Sequence, residues 1–115
     1  MDRTVDKLTF YRHCVQELLT EYSKSKPING DIEVQTIFDR EQDHYQVIDL
    51  GWDKHRRIYN CLIHLDIKDG KIWIQRNQTD TQIANELVEM GVIKEDIILG
   101  LQPAYAREYT GYGVA

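Results

Sequence analysis

His64 and Asp66 are the residues of this chain whose types and spacing come nearest to a reactive pair. Two positions apart on an extended segment, they share one face. An imidazole beside a carboxylate can relay a proton or hold a metal ion. His44 or Asp49 would have to supply a third group. Neither stands at a diagnostic ligand spacing, and strand pairing sets Asp49 opposite Asn60, away from Asp66. The pair therefore reads as a His–Asp contact on a polar sheet face. No catalytic, metal-binding or cofactor-binding residue is assigned.

The other chemistries fare no better. No Gly-x-Ser-x-Gly elbow and no phosphate-cradling glycine loop occurs. Cys61 sits in the apolar run Tyr59-Asn60-Cys61-Leu62-Ile63, where a thiolate is poorly stabilised. Cys14 and Cys61 suit two buried free thiols rather than a disulfide framework. Charge is more informative. Residues 30–53 hold seven acids and one base, whereas residues 54–76 hold six bases and two acids. Mutual neutralisation between neighbouring strands accounts for most of this. The cluster at Lys54, Arg56 and Arg57 is the one place where nucleic-acid contact is conceivable, because Lys68 and Lys71 flank the opposite turn.

The elements that position these residues follow from periodicity. Val5, Leu8, Tyr11, Val15, Leu18, Leu19 and Tyr22 recur at three- and four-residue steps and predict a helix over 4–23, capped by Asp2 or Thr4. Residues 23–30 form a breaker. Four antiparallel strands follow: about 32–38, 45–52, 57–68 and 71–76. Asp69-Gly70 is a strong hairpin signal, since a type I′ turn needs positive φ at both central residues. It pairs Ile67 with Ile72, Asp66 with Trp73, Leu65 with Ile74 and His64 with Gln75. Carried across the sheet without interruption, this register assigns one face to Ile32, Val34, Phe38, Ile48, Leu50, Tyr59, Cys61, Ile63, Leu65, Ile67, Ile72 and Ile74. That face is the expected core. The other face receives Tyr45, Val47, Leu62, His64, Asp66 and Trp73, which makes these six the candidate partner-binding residues. Packing of the C-terminal tail is the competing explanation for them.

A capping-box pattern at Thr79-Asp80-Thr81-Gln82 predicts a second helix near 79–90, closed by Gly91 in a left-handed cap. Residues 97–101 are a possible fifth strand or a buried extended segment, and no assignment is made for the tail. The fold class is α+β: an N-terminal helix, a four-stranded antiparallel meander and a second helix, both helices on one sheet face.

Length and composition agree with a single domain spanning 1–115. A chain of 115 residues can bury a core without metal or disulfide staples. With 42% apolar and 29% charged residues, its composition is that of a globular protein. The formal charge of −5 argues against a whole-surface nucleic-acid binder. No segment reaches the roughly 18 apolar residues of a membrane span, and no signal-peptide pattern is present. A cytoplasmic location is expected, and no membrane contact.

Four stretches together carry a family resemblance. They are His44-Tyr45-Gln46-Val47-Ile48-Asp49-Leu50-Gly51-Trp52 with Arg56-Arg57-Ile58-Tyr59; Ile63-His64-Leu65-Asp66-Ile67-Lys68-Asp69-Gly70-Lys71-Ile72-Trp73-Ile74-Gln75; Gly91-Val92-Ile93-Lys94-Glu95-Asp96-Ile97; and Thr110-Gly111-Tyr112-Gly113-Val114-Ala115. The chain closely resembles the XisI family, cyanobacterial proteins named as fdxN-element excision controlling factors. A proline is commoner in that family at the place of Ile93, a departure confined to a loop. The resemblance implies an accessory, regulatory role in excision of a DNA element by a separate recombinase. It also implies a protein partner, XisH, whose fold looks nuclease-like. It carries no catalytic residues onto this chain and implies no cofactor. Three expectations follow. The first is a non-enzymatic factor that binds a XisH-type partner, with an antitoxin-like inhibition as a variant. The second is direct DNA binding as a directionality factor. The third, an enzyme built on His64 and Asp66, has the least support. The second sheet face also suggests a homo-oligomer, a dimer being the simplest closed form.

Overall fold

The computed structural model describes residues 3–25 and 31–114. Helix α1 spans Arg3–Ser25. Strands β1 (Asp31–Asp39), β2 (His44–Asp53), β3 (Arg56–Lys68) and β4 (Lys71–Asn77) form an antiparallel meander. Helix α2 covers Ile83–Glu89. The two-residue β5, Ile97–Ile98, then joins β4 in parallel, so the sheet order is β1-β2-β3-β4-β5. The α+β class and the meander are as the sequence predicts, and of the two readings left open for 97–101 the structure takes the strand, over Ile97–Ile98 alone. The capping proposals at Asp2 and Thr4, the side chain of Val5 and the breaker at 26–30 lie outside what is described.

Helix α1 is amphipathic for the reason its spacing implies. Tyr11, Cys14, Val15, Leu18 and Leu19 are buried against the sheet, with Leu8 and Tyr22 at the margin. They meet Tyr45, Val47, Ile63, Leu65, Ile67, Ile72 and Ile74, joined by Ile83, Leu87, Val92 and Ile97. Polar anchors at the margins fix the helix. The Tyr11 hydroxyl donates to the Asp96 carboxylate and Lys7 lies 3.2 Å from it, tying α1 to the 3₁₀ turn Lys94–Asp96. Arg12 grips Asp43 in the β1–β2 turn through two bonds of 2.8 and 3.0 Å.

The hairpin at Asp69-Gly70 forms as expected, with φ of 54° and 75°, and it sets Ile67 against Ile72, Asp66 against Trp73 and Leu65 against Ile74. Beyond that the register departs from a straight ladder twice. β4 carries Gln75 as an extra residue, so His64 pairs with Arg76 and not with Gln75. β3 carries Leu62 as an extra residue between the pairs Val47–Ile63 and Ile48–Cys61. An inserted residue inverts the in/out parity of everything on one side of it. This overturns part of the expected face assignment. Tyr45 and Val47 are fully buried beneath α1, and Leu62 packs against the same cluster. They therefore leave the second face. Ile48, Leu50, Tyr59 and Cys61 move onto it.

The second helix also starts later than its capping-box pattern implies. Its N-cap is Gln82, without a side-chain bond. Thr79 Oγ1 instead accepts the amide of Thr81 and donates to Asn77 Oδ1, so the threonine closes the preceding turn. The C-terminal end is as expected: Gly91 N–H donates to the Val88 carbonyl and Val92 N–H to that of Leu87, the Schellman pattern.

Candidate functional site

The face of the sheet turned away from α1 is covered at one end and open at the other. Near β4 and β5 the tail covers part of it. Gly113 N–H donates to the Ile97 carbonyl at 2.9 Å and Leu101 N–H to that of Ile74 at 3.1 Å. Arg107, in the 3₁₀ segment Ala104–Tyr109, lies 5.2 Å over the Trp73 ring, and Lys68 lies 4.8 Å over it. Trp73 is thus half-buried under two cations, and tail packing accounts for it. Over β1, β2 and β3 the face stays open. Ile37 is 45% exposed, Trp52 50% and Tyr59 64%, around a floor made by Ile48. Arg57 lies 5.5 Å over the Trp52 ring at one edge.

At the other end of this open face the structure assembles a polar cluster. The bulge at Leu62 brings His44 opposite Asp66, one position away from where an unbroken ladder would place it. His44 Nδ1 lies 2.8 Å from Asp66 Oδ1, and His64 Nε2 lies 2.7 Å from the same oxygen. Gln75 Nε2 donates to the other carboxylate oxygen at 3.2 Å, and the Gln46 amide is 3.4 Å from His64 Nδ1. Gln75 is the extra residue of the second bulge. Burial works against ionisation of Asp66, but the bonds from His44, His64 and Gln75 outweigh it and hold the carboxyl below the usual range. The same bond to Asp66 raises the His44 imidazole above its ordinary value. Asp49 takes no part. It pairs with Asn60, as the sequence implies, but is buried on the α1 side with Tyr45 and Val47, not on the second face where the unbroken ladder puts it.

The remaining residues of interest lie apart. Lys54, Arg56 and Arg57 are exposed at the β2–β3 turn, and Arg57 also donates to the Gly51 carbonyl at 3.4 Å. Cys14 is buried and Cys61 partly so, both free, and burial pushes both thiols up, which suppresses thiolate chemistry. Among the described residues no helix is long and apolar enough to cross a membrane.

Comparison with known proteins decides the family. The model of the XisI protein family matches residues 5–114. The chain belongs to the XisI family. Two XisI structures from Anabaena variabilis share its architecture. A XisI-like protein is 55% identical, with a TM-score of 0.90, over 94% of this chain and 99% of that one. The fdxN element excision controlling factor XisI is 34% identical, with a TM-score of 0.83, over 95% and 99%. No curated protein matches. The family is named for an excision controlling factor.

Proposed function

We propose that this protein is a non-enzymatic accessory factor for excision of a DNA element, acting by contact with a XisH-type partner. The observation that carries the reading is the open sheet face, on which Ile37, Trp52 and Tyr59 stand exposed while the tail seals only the β4–β5 end. Aromatic anchors on a flat face with a charged edge are the composition of protein interfaces. Of the six residues first singled out, His64 and Asp66 stay on the open part of this face and Trp73 lies on it under the tail, while Ile37, Trp52 and Tyr59 replace the buried Tyr45 and Val47 and the partly buried Leu62. The same face serves a homodimer when the partner is absent. Inhibition of a nuclease-like partner by phosphate mimicry would rely on Glu33, Asp39 and Glu41, because Asp43 is already held by Arg12 and Tyr45. Co-purification with a XisH-type protein tests the reading. Tyr59→Asp and Trp52→Ala should each weaken capture at least tenfold. Capture unchanged by both substitutions would remove the face from consideration.

Direct DNA contact is the second reading, favoured by the exposure of Lys54 and Arg56 at one turn. Phosphate contacts weaken steeply with salt. A gel shift on element-border DNA should then show binding at low salt that Lys54→Ala with Arg56→Ala abolishes. Absence of a shift at low salt ends this reading.

A further inference from the structure

The cluster at the end of the open face has a geometry that a polar contact does not require. His44, His64 and Asp66 each offer one donor atom, and these lie within 4.8 Å of one another, with His44 Nδ1 and His64 Nε2 both meeting Asp66 Oδ1. They come from two strands whose pairing fixes their spacing. Asp66 is rooted, its side chain 15% exposed, whereas His64 is 29% and His44 56% exposed, so the donors are anchored below and accessible above.

We propose that His44, His64 and Asp66 form a site for a borderline divalent transition metal, with Zn²⁺ as its representative. Two imidazole nitrogens and one carboxylate oxygen suit Zn²⁺, Co²⁺ or Ni²⁺ and not the oxygen-seeking Mg²⁺ or Ca²⁺. Tetrahedral metal–ligand bonds of about 2.0–2.2 Å set donors about 3.3–3.6 Å apart, so each imidazole must draw back from Asp66 Oδ1 by about half an ångström or more, and any donor pair as far apart as 4.8 Å must close by more than an ångström. Three protein ligands leave a fourth position, which water fills on the solvent side. The surrounding groups are those that orient ligands elsewhere. Gln75 fixes Asp66 through Oδ2. Gln46 Nε2 lies 3.4 Å from His64 Nδ1, and turning that amide over would present its oxygen to the proton that Nδ1 carries once Nε2 is bound. A neutral imidazole shifts its proton to the ring's second nitrogen as it binds, whereas an imidazolium loses one proton to solvent, so binding is proton-linked and changes no oxidation state.

Calorimetric titration of the tag-free protein with Zn²⁺, alongside the visible spectrum of Co²⁺, tests the site. One ion per chain is expected, with no competition from a large excess of Mg²⁺. His64→Ala and Asp66→Asn should each lower affinity at least tenfold. Gln75→Leu should lower it roughly tenfold while keeping the stoichiometry. His44→Ala changes a half-exposed side chain at a strand end, so it tests binding without threatening the fold, and far-UV circular dichroism checks each variant. His13 and Glu17 make a two-ligand pair on α1, 2.9 Å apart. Zn²⁺ binding that disappears in His13→Ala and survives in His44→Ala would overturn the proposal. So would a Zn²⁺ response in the wild type no larger than in the His44→Ala/His64→Ala double variant, which would leave the cluster a hydrogen-bonded triad.

Discussion

At the scale of single residues, the clearest energetic commitment is Asp43. Arg12 donates to both of its oxygens and the Tyr45 hydroxyl donates to one at 2.8 Å. The bond from Arg12 is the chief reason the Asp43 carboxyl is held below its usual range, against the effect of burial. A carboxyl with a depressed folded-state pKa stabilises above its unfolded value of about 4 and loses that contribution as pH falls through the folded value. Asp43→Asn should therefore cost about 1–2 kcal/mol at neutral pH. Denaturant unfolding at a series of pH values should show the gap to wild type closing below about pH 4. A gap that stays constant down to acid would assign the loss to packing. Two tyrosines give a second contrast. Tyr45 is fully buried and its phenol is pushed up by burial, then by Asp43, whereas Tyr59 is exposed. Tyr45→Ala should cost about 3–5 kcal/mol, as other large-to-small changes in cores do, and Tyr59→Ala less than about 0.5. Chemical denaturation of the two variants measures both. Comparable losses would contradict the face assignment.

At the scale of elements, the strands and their hairpins were legible because alternation and turn chemistry agree. Asp69-Gly70 demands positive φ and takes it. The bulges were not legible from alternation alone. The trace of the first is local: Cys61-Leu62-Ile63 is an apolar run without alternation, and the parity switch lies at Leu62, whereas the second, at Gln75, falls in the alternating run Ile72-Trp73-Ile74-Gln75. Reading them as unbroken ladder put Tyr45 and Val47 outside. It also kept His44 from facing Asp66, and so hid the third member of the cluster. The capping box failed for a related reason, since Thr79 serves the turn that Asn77 begins. The tail gives a prediction at this scale. A Cβ at Gly113 would stand 2.2 Å from the Glu95 carbonyl oxygen, so the backbone there must move to admit any side chain. Gly113→Ala should loosen the tail from β5 at a cost of about 1–3 kcal/mol. In a Trp52→Phe background the fluorescence of Trp73 should shift to the red as Arg107 leaves its ring. Emission unchanged from the parent would show that the tail accommodates the methyl group in place.

At the scale of the whole molecule, the charge of −5 and the open face become one argument. The acidic excess belongs to β1, β2 and their turn, and the basic excess to β3 and its flanking turns. Within the sheet these neighbours neutralise one another, and at the open face they form opposite edges of the patch that holds Ile37, Trp52 and Tyr59. A two-fold axis through that patch would set the acidic edge of one copy against the basic edge of the other while burying the aromatics between them, which is the self-complementarity an isologous dimer needs. Light scattering should then give twice the 13.6 kDa chain mass at high concentration. Tyr59→Asp should restore the single-chain mass, and raised salt should weaken the dimer because part of the attraction is screened. A XisH-type partner that uses the same face would have to displace the second copy, so adding it should convert the dimer into a complex with one copy of this chain. Single-chain mass at every concentration would sink the dimer and leave the face to the partner alone. A partner complex that retains two copies would place its contact elsewhere, with the exposed Lys54–Arg57 turn as the next surface to probe.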